Sequence, residues 1–369
     1  MMQHYKKKII IFSNYDWTIY KFRKNLIKEL SSNYEIVIVT KKTEKDYLKD
    51  FENEKIYINF NIYNYNIFHN IFLFIKIYFI YKKLKPYFCL HFTNKPNIIG
   101  GIVASYLSIN YVNNIAWGGS ETLNKFTKVF LLLMHKISLR KINKVFFQNN
   151  DDLHYFISKN IVNKNQCDTI PGSGVDLKLL NKYYIKRKKI LNNKKNFTFV
   201  MVSRLIKNKG VNEFLLASKI INKKYKDIKF VLLGEILLNN KLFIKKKYLE
   251  NFPNVEYLGY QDNVYDLIMH YDCIVLPSYR EGVPKTLIEA AAIGLPIVAT
   301  NVPGCKDVCI NNYNGFLCEV KNVNDLASKL ELFIKLPLNE KKLMGQNSLK
   351  ISKKFDEKFA IEKYKSILN

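Results

Sequence analysis

The sequence predicts an α/β fold of two doubly wound domains, each a parallel sheet covered by helices. Short apolar segments alternate with longer helical segments, and this alternation runs through both halves of the chain. Most of the apolar segments are continuous, as is typical of strands that are buried on both faces. The length of 369 residues fits about two domains.

The elements follow from these two patterns. The longer segments between the apolar runs predict helices at 20–30, 66–85, 212–222, 287–293 and 339–366. The apolar runs themselves predict strands at 8–13, 35–39, 87–92, 114–116 (a weaker one), 144–148, 197–203, 228–234, 255–259, 273–277, 296–300 and 315–318.

The domain boundary is predicted within 171–196, where a Gly-rich turn leads into a basic, polar run. We therefore expect an N-terminal Rossmann-like domain over residues 1–175 and a C-terminal one over residues 196–345. Residues 176–195 are expected to form the linker. Residues 346–369 are expected to form a C-terminal helix that packs back on the N-terminal domain.

The net charge of +28 narrows the choice of partners. It results from 59 basic and 31 acidic residues, but only five of the basic residues are arginines. Arginine is the usual reader of guanine and of phosphate geometry, so this lysine-rich composition disfavours nucleic acid as the partner. Lysines spread over one domain instead favour reversible binding to an anionic membrane surface.

Membrane-spanning and secreted classes are disfavoured. The apolar run 71–80 is interrupted by Lys76 and is too short for a span, and the N-terminus lacks the features of a signal peptide. The six cysteines form no C-x-x-C pair and are expected to be reduced thiols of a cytoplasmic protein. The apolar segment 66–85 ends in lysines and is either a core helix or a helix that faces lipid.

The most informative segment is YREGVPKTLIEAAAIGLPIVAT, residues 279–300. A strand leads into a loop with Glu281 and Gly282, and a helix then begins near Pro284 and contains Glu289. The N–H groups at such a helix start bind phosphate or a sugar hydroxyl, and the two carboxylates accept hydrogen bonds from sugar and ribose hydroxyls. The structural alternative is two solvated glutamates, which the apolar sequence after Glu289 disfavours.

This segment resembles the C-terminal motif of family 4 glycosyltransferases, which have the GT-B fold of two Rossmann-like domains facing across a cleft. TIPGSGVDLKLL (169–180) is similar to their domain linker, and FVMVSRLIKNKGVNEFLLA (199–217) to the start of their donor domain. HFTNKPNIIG (91–100) and YKFRKNLIKEL (20–30) are similar to a subgroup of bacterial N-acetylhexosaminyl and galactosyl transferases. That subgroup assembles lipid-linked oligosaccharides or surface polysaccharides.

The resemblance implies that the C-terminal domain binds a nucleotide sugar. Glu281 would contact the donor sugar, and Glu289 would contact the ribose. The backbone groups implied to contact the diphosphate or the sugar are those of Gly282, Val283, Pro284 and Lys285.

Two basic residues match the diphosphate-binding pair of the family. Arg204 and Lys209 follow a strand and precede Gly210, and a guanidinium and an ammonium group suit two adjacent phosphates. With Glu281 they form the implied catalytic group; the structural alternative is a pair of solvated loop charges. Gly234, which closes another strand, would lie near the nucleotide.

The N-terminal domain is implied to bind the acceptor and to complete the site. Ser13 and Asn14 close the first strand and would touch the donor. Lys95 follows another strand and is the acceptor-side candidate, because it would meet a phosphate of either substrate. Each of the three is otherwise a turn residue.

The chain departs from the subgroup in places that concern the substrate. AWGGSE (116–121) stands where relatives carry a T-G-L-G-like turn, and Asn64 and Tyr65 stand where they often carry an arginine. The pair at 151–152 is expected to begin a helix rather than to bind a metal. His91 is either a polar group of the cleft or a hydrogen-bonded core histidine.

The resemblance implies a retaining glycosyltransferase that moves a sugar from a UDP-linked donor to a glycan or polyprenyl-diphosphate-linked acceptor. It would work at the inner face of the membrane. No metal or other cofactor is implied, because Arg204 and Lys209 supply the neutralising charge. Two alternatives stay open: another GT-B enzyme of sugar nucleotides such as an epimerase, and a non-enzymatic basic protein that binds a membrane or nucleic acid.

Overall fold

The computed structural model describes residues 6–61, 67–117, 124–142, 144–190, 197–236 and 244–368. These residues form two compact units, each with its own parallel sheet. The first unit contains the described residues up to 117, residues 124–173 and residues 358–368, and the second contains the described residues of 174–357.

The sheet of the first unit has seven strands among the described residues, all of them parallel. They are β1 (Lys8–Tyr15), β2 (Glu35–Lys41), β3 (Glu54–Tyr57), β4 (Phe88–Phe92), β5 (Asn110–Ile115), β6 (Lys144–Phe147) and β7 (Cys167–Thr169). The order across the sheet is β3-β2-β1-β4-β5-β6-β7. It reverses between β1 and β4, which is the position where such sheets bind their ligands.

Helices cover both faces of this sheet. Successive residues of a strand point to opposite faces, so Ile10 and Phe12 pack into one core while Ile9 and Ile11 pack into the other. Both cores need apolar residues, which is why the strand sequences are continuously apolar. The helices of this part of the chain are α1 (Asp16–Ser31), α2 (Ile67–Leu84), α3 (Gly101–Tyr106), α4 (Lys125–Ser138) and α5 (Asn150–Ser158).

The sheet of the second unit has six parallel strands among the described residues. They are β8 (Thr198–Val202), β9 (Lys229–Leu233), β10 (Val255–Tyr257), β11 (Cys273–Leu276), β12 (Ile297–Thr300) and β13 (Gly315–Cys318). Their order is β10-β9-β8-β11-β12-β13, so the order reverses between β8 and β11. The loops that follow these two strands therefore flank the expected ligand position.

The helices of the second unit surround this sheet. They are α6 (Leu177–Ile190), α7 (Val211–Lys224), α8 (Lys246–Leu249), α9 (Tyr265–Ile268), α10 (Lys285–Ala292), α11 (Cys305–Val308), α12 (Val323–Lys335) and α13 (Leu338–Ser352). None of the helices formed by the described residues combines the length and the apolar character that crossing a membrane requires.

The two doubly wound sheets confirm the predicted fold class, but two strands were not predicted. β3 and β7 lie at the two edges of the first sheet, and their sequences EKIY and CDT are half exposed and partly polar. An edge strand needs no continuous apolar run, so the pattern used for the buried strands does not detect it.

The segment 176–195, expected to be a linker, contains helix α6 instead. Its inner face packs in the second unit through Leu180 and Arg187, which are both buried. Arg187 Nη1 donates a hydrogen bond to Met269 O at 2.9 Å and contacts Tyr271 O. These contacts explain why a basic, polar sequence belongs to a packed helix. The rest of the expected linker, residues 191–195, lies outside the described residues.

The C-terminal segment 346–369, predicted to form one helix, is interrupted in its described part. Helix α13 ends at Ser352, and Asp356 is extended before α14 (Glu357–Ser366) begins. The residues from 358 onward belong to the first unit. There Tyr364 is fully buried, and its hydroxyl oxygen accepts a hydrogen bond from Asn114 Nδ2 at 2.6 Å.

Candidate functional site

In the second unit, a lysine and a glutamate from two neighbouring loops form an ion pair. Lys209 ends a short helical turn in the loop after β8, and Glu281 lies in the loop after β11. Lys209 Nζ lies 2.5 Å from Glu281 Oε1, and the Glu281 side chain is largely buried. The structure thus brings together two of the predicted catalytic residues, beside the reversal point of the sheet.

The same two loops are also joined by hydrogen bonds that involve Tyr279. The backbone N–H of Tyr279 donates to Asn208 O at 2.9 Å, next to Lys209. Its hydroxyl donates to Glu213 Oε1 at 2.9 Å, in the first turn of α7. Burial and the Glu213 carboxylate raise the pKa of Tyr279, so the hydroxyl keeps its proton and remains a donor. These contacts fix the spacing between the two loops.

Arg204 lies in the loop after β8, together with Lys209. Its side chain is exposed to solvent, and its carbonyl accepts a hydrogen bond from Ile206 N at 2.8 Å. The exposure allows a guanidinium to reach an incoming anion at the carboxyl end of β8.

Two glycines permit the close approach of backbone segments at this edge of the sheet. Gly304, after β12, has φ of +82°, and a Cβ there would lie 2.2 Å from Gly282 O and 2.9 Å from Glu281 Cβ. Gly234, after β9, has φ of +152°, and its Cβ would lie 1.7 Å from Ser203 O. Both positions therefore exclude any side chain, because it would displace the loops that carry Glu281 and Arg204.

Helix α10 follows the Glu281 loop directly. Pro284 is its extended N-cap residue, and its carbonyl accepts hydrogen bonds from Leu287 N and Ile288 N. Gly282 and Pro284 are buried, whereas Val283 and Lys285 are half-buried. The predicted backbone segment thus lies at the positive end of a helix dipole, an arrangement that binds anions.

Glu289 lies one turn inside α10 and has a partner outside that helix. Its Oε1 accepts a hydrogen bond of 2.7 Å from the hydroxyl of Tyr265, at the start of α9, and lies 4.0 Å from Lys285 Nζ. Burial and the Glu289 carboxylate raise the pKa of Tyr265 well above its ordinary value. The apolar surroundings of Glu289 predicted a specific partner, and Tyr265 is that partner.

In the first unit, the predicted residues gather where β1 and β4 end side by side. Ser13 is buried, and its Oγ lies 2.7 Å from Thr18 Oγ1. The backbone N–H of Asn14 donates to Thr93 Oγ1 at 3.2 Å. Asn14 Oδ1 is buried and has no hydrogen-bond partner among the described residues.

Lys95 is also buried near this strand end. Its Nζ donates to Asn61 O at 2.7 Å and to Asn70 Oδ1 at 2.9 Å, and both acceptors are uncharged. Burial lowers the pKa of Lys95 to about 8. The lowered pKa means that burial disfavours the charged form of the Lys95 amine.

His91 is a core residue rather than a polar group of the site. It is fully buried, with Nδ1 2.8 Å from Asn113 Oδ1 and Nε2 2.9 Å from the Tyr81 hydroxyl. Asn113 Nδ2 donates to Asn97 O, which turns the amide oxygen towards His91, so Nδ1 carries the proton. Burial lowers the pKa of His91 to about 4, and the ring is neutral.

Three groups with structural roles in these loops were not predicted. Asp16 is buried and accepts hydrogen bonds from Thr43 N at 3.1 Å and Thr43 Oγ1 at 2.7 Å, which joins the start of α1 to the segment after β2. Tyr265 and Gly304 contribute the contacts described above. Of these three residues, only Gly304 could have been found from the local sequence, because it belongs to a VPG turn directly after a strand.

The remaining residues that the sequence singled out lie as follows. Residues 151 and 152 lie in the first turn of α5, as predicted, and Asp152 Oδ2 accepts a hydrogen bond from Trp117 N at 3.1 Å. Most of the altered AWGGSE turn, with Asn64 and Tyr65, lies outside the described residues. Within the described residues there is no cluster of three or more metal-binding side chains. That no metal takes part stays a prediction.

Two family models match the chain, one in each half. The model of group 1 glycosyl transferases matches residues 184–350, which include the Lys209–Glu281 pair and Glu289. The model of glycosyl transferase 4-like proteins matches residues 8–149, which include Ser13, Asn14 and Lys95.

Individual proteins resemble the chain over most of its length. It is 28% identical over 364 residues to N,N'-diacetylbacillosaminyl-diphospho-undecaprenol alpha-1,3-N-acetylgalactosaminyltransferase of Campylobacter jejuni, with 94% of each chain covered. It is 30% identical over 272 residues to an uncharacterized glycosyltransferase of Methanocaldococcus jannaschii, covering 72% of this chain and 70% of the relative. The solved structure of Anabaena HepE in complex with UDP and glucose matches with a TM-score of 0.79 and 16% identity, over 98% of this chain and 99% of that one. This likeness supports the GT-B fold class.

Proposed function

The chain belongs to the glycosyltransferase family, and we propose that it is a retaining enzyme that transfers a sugar from a UDP-linked donor to a lipid-linked glycan. The observation that carries the proposal is the Lys209–Glu281 ion pair beside the start of α10. This contact supports the proposal because Lys209 would bind phosphate and Glu281 would bind sugar hydroxyls, and the two side chains lie within one hydrogen bond of each other.

The donor would bind to the second unit in an orientation that these groups define. An ammonium group has three protons, so Lys209 can keep its hydrogen bond to Glu281 and still donate to the diphosphate. Arg204 would contact the same diphosphate, and the backbone at the start of α10 would contact its oxygens or the sugar. Glu289, held by Tyr265, would accept hydrogen bonds from the ribose hydroxyls, with Gly234 near the nucleotide.

The reaction would then need positioning and charge stabilisation rather than a protein nucleophile. The bond between the anomeric carbon and the phosphate oxygen breaks, and the acceptor hydroxyl forms the new bond on the same face. The proton of that hydroxyl passes to the leaving phosphate oxygen. Arg204 and Lys209 would stabilise the negative charge that develops on UDP.

The acceptor would be a glycan carried on a polyprenyl diphosphate, at the inner face of the membrane. The Campylobacter jejuni relative is named for an undecaprenol-diphosphate-linked acceptor, and HepE was solved with UDP; both facts support the proposal by similarity. Lys95 would meet a phosphate at the β1–β4 strand ends, near Ser13 and Asn14. Lysines of the first unit would hold the protein to an anionic membrane, and no nucleic acid partner is proposed.

The test combines a binding screen with product analysis. A thermal-shift panel of UDP-, GDP- and CMP-sugars should show stabilisation by UDP-sugars, because a ligand that binds the folded form raises its Tm. With the stabilising donor and a polyprenyl-diphosphate-linked sugar, NMR of the product should show a new glycosidic bond with the anomeric configuration of the donor. Isomerised free donor indicates an epimerase, and an inverted product overturns the retaining mechanism.

A further inference from the structure

Helix α2 has apolar residues on both of its faces. Leu73, Ile77 and Tyr81 are buried against the first unit, as in a core helix. A helix at the surface of a soluble protein normally presents polar side chains on its outer face. On the outer face of α2 the exposed side chains include Phe68, Ile71, Phe72, Ile75 and Phe79.

Helix α4 repeats this arrangement. Leu131 and His135 are buried, and the outer face exposes Phe126, Val129, Phe130, Leu133 and Ile137. The most exposed of these side chains are Phe68 at 78% and Phe126 at 89%. Such repeated exposure of large apolar side chains is unusual unless the surface has a partner.

The two outer faces belong to one region of the first unit. Residues 96–106 contact both α2 and α4, so the helices flank a common segment. Tyr106, at the end of that segment, is 70% exposed and packs against Tyr78 of α2 with ring centroids 6.0 Å apart. We call the exposed apolar residues of α2 and α4 the apolar face.

The charged side chains of α2 and α4 are all basic, and the sequence around these helices is strongly basic. Between residues 56 and 150 the sequence has eleven lysine and arginine residues and a single acidic residue, Glu121. Neither α2 nor α4 contains an aspartate or a glutamate. Lys82, Lys83, Lys125 and Lys136 are exposed, and Lys76 lies 4.5 Å from the ring centroid of Phe72.

We propose that the apolar face of α2 and α4 docks into the surface of an anionic bilayer. The phenylalanine and aliphatic side chains enter the boundary between headgroups and acyl chains, and the surrounding lysines contact lipid phosphates. The proposal rests on the proposed function only in its use of a membrane-linked acceptor; the surface itself is independent of the donor site.

A bilayer fits this surface better than nucleic acid does. Stacking on bases requires aromatic rings or guanidinium planes, but half of the ten side chains of the apolar face are aliphatic. Only one arginine lies between residues 56 and 150. A row of mixed Phe, Ile, Leu and Val beside lysines is the composition of interfacial helices.

This surface changes the expected salt dependence of membrane binding. Lysines alone would release the protein from vesicles as salt rises, because screening weakens their attraction to phosphates. With the apolar face inserted, salt should weaken binding but leave a residual part that depends on the exposed phenylalanines. Removing lysines should reduce the salt-dependent part, and removing phenylalanines the residual part.

Flotation of the full chain with phosphatidylethanolamine–phosphatidylglycerol vesicles tests the proposal. The triple variant Phe68→Ser, Phe72→Ser, Phe79→Ser should lower the partition coefficient by at least roughly tenfold and strongly reduce the salt-resistant part. The matched control is Leu338→Ser, Leu343→Ser, Phe359→Ser, whose residues are exposed elsewhere and should leave binding unchanged. Thermal unfolding of each variant verifies its fold.

A second variant keeps the test decisive if the triple variant is unstable. Lys82→Gln with Lys83→Gln should weaken vesicle binding at low salt and flatten the salt dependence. The proposal is overturned if the wild type does not float with the vesicles or if the triple variant floats like the wild type. It is also overturned if the triple variant keeps its vesicle binding and loses only self-association or oligonucleotide binding. UDP calorimetry separates the membrane proposal from the proposed function. Variants that lose vesicle binding should keep the UDP affinity of the wild type. A wild type that fails to bind UDP contradicts the proposed function alone.

Discussion

Lys209 Nζ and Glu281 Oε1 lie 2.5 Å apart, although 72 residues separate them in the sequence. The pair connects the loop after β8 to the loop after β11, on either side of the point where the strand order reverses. The proposed phosphate-binding group and the proposed sugar-binding group are therefore positioned by one contact. Disturbing either residue should affect both the stability of the loops and the binding of the donor.

Replacing Lys209 by alanine should weaken UDP binding roughly ten- to hundredfold, as expected for the loss of a charge-assisted contact of about 1.5–3 kcal/mol. The variant should also have a lower Tm, because Glu281 is left largely buried without its cation. Calorimetric titration with UDP and thermal unfolding measure the two effects.

Two control variants separate binding from stability in this experiment. Lys207→Ala removes an exposed lysine of the same turn and should change neither quantity. Adding Glu281→Gln to Lys209→Ala should recover part of the lost Tm, since the unpaired charge is removed, without restoring UDP affinity. Equal UDP affinities for the Lys207 and Lys209 variants would argue against the phosphate role.

Tyr265→Phe should weaken the binding of UDP and of UMP about fivefold each, which corresponds to one hydrogen bond of about 1 kcal/mol. The hydroxyl holds Glu289, and the proposed ligand of Glu289 is the ribose, which both nucleotides contain. Tyr248→Phe, on α8, serves as the control. A loss confined to UDP would place Glu289 near the β-phosphate, which UMP lacks.

Gly304→Ala should destabilise the second unit more than Gly259→Ala does. Both glycines have positive φ, +82° and +68°, so both substitutions cost backbone strain of about 1 kcal/mol. Only at Gly304 does the new Cβ meet backbone, 2.2 Å from Gly282 O, whereas a Cβ at Gly259 has nothing within 4 Å. Thermal unfolding should show a larger loss of Tm for Gly304→Ala than for Gly259→Ala. UDP titration should show weaker binding for Gly304→Ala alone.

Lys95 should make folding stability depend on pH in the alkaline range. Its folded pKa is lowered to about 8 from 10.5, so between these values the unfolded chain binds more protons than the folded one. The contribution of Lys95 to stability therefore rises with pH from about 8 towards 10.5, and below 8 its full cost is present. Comparing urea unfolding of the wild type and Lys95→Met over this range isolates the effect; parallel pH profiles would show that Lys95 has an ordinary pKa.

Much of the fold follows from the strand sequences alone. Ile9, Ile10, Ile11 and Phe12 are successive apolar residues, and only a strand covered on both faces can bury all four. β3 and β7 lack that signal because they are edge strands. The break at Asp356 and the role of α6 depend on tertiary contacts, which no local pattern contains.

The candidate site also has one part that follows from the local sequence and one part that depends on tertiary contacts. The segment from β11 to Glu289 has a strand, a loop and a helix within a short stretch, so its geometry is local and predictable. The contact between Lys209 and Glu281, and that between Tyr265 and Glu289, join residues far apart in sequence. They arise from the parallel strand order, which brings the carboxyl ends of distant strands to one edge.

The central proposal is that Arg204 and Lys209 together bind the β-phosphate side of the donor while Glu289 binds its ribose. Calorimetric affinities of UDP and UMP for the wild type and for Arg204→Ala, Lys209→Ala test it most directly. The wild type should prefer UDP strongly, and the double variant should bind the two nucleotides about equally, with UMP affinity little changed. An undiminished preference for UDP in the double variant would contradict the proposal.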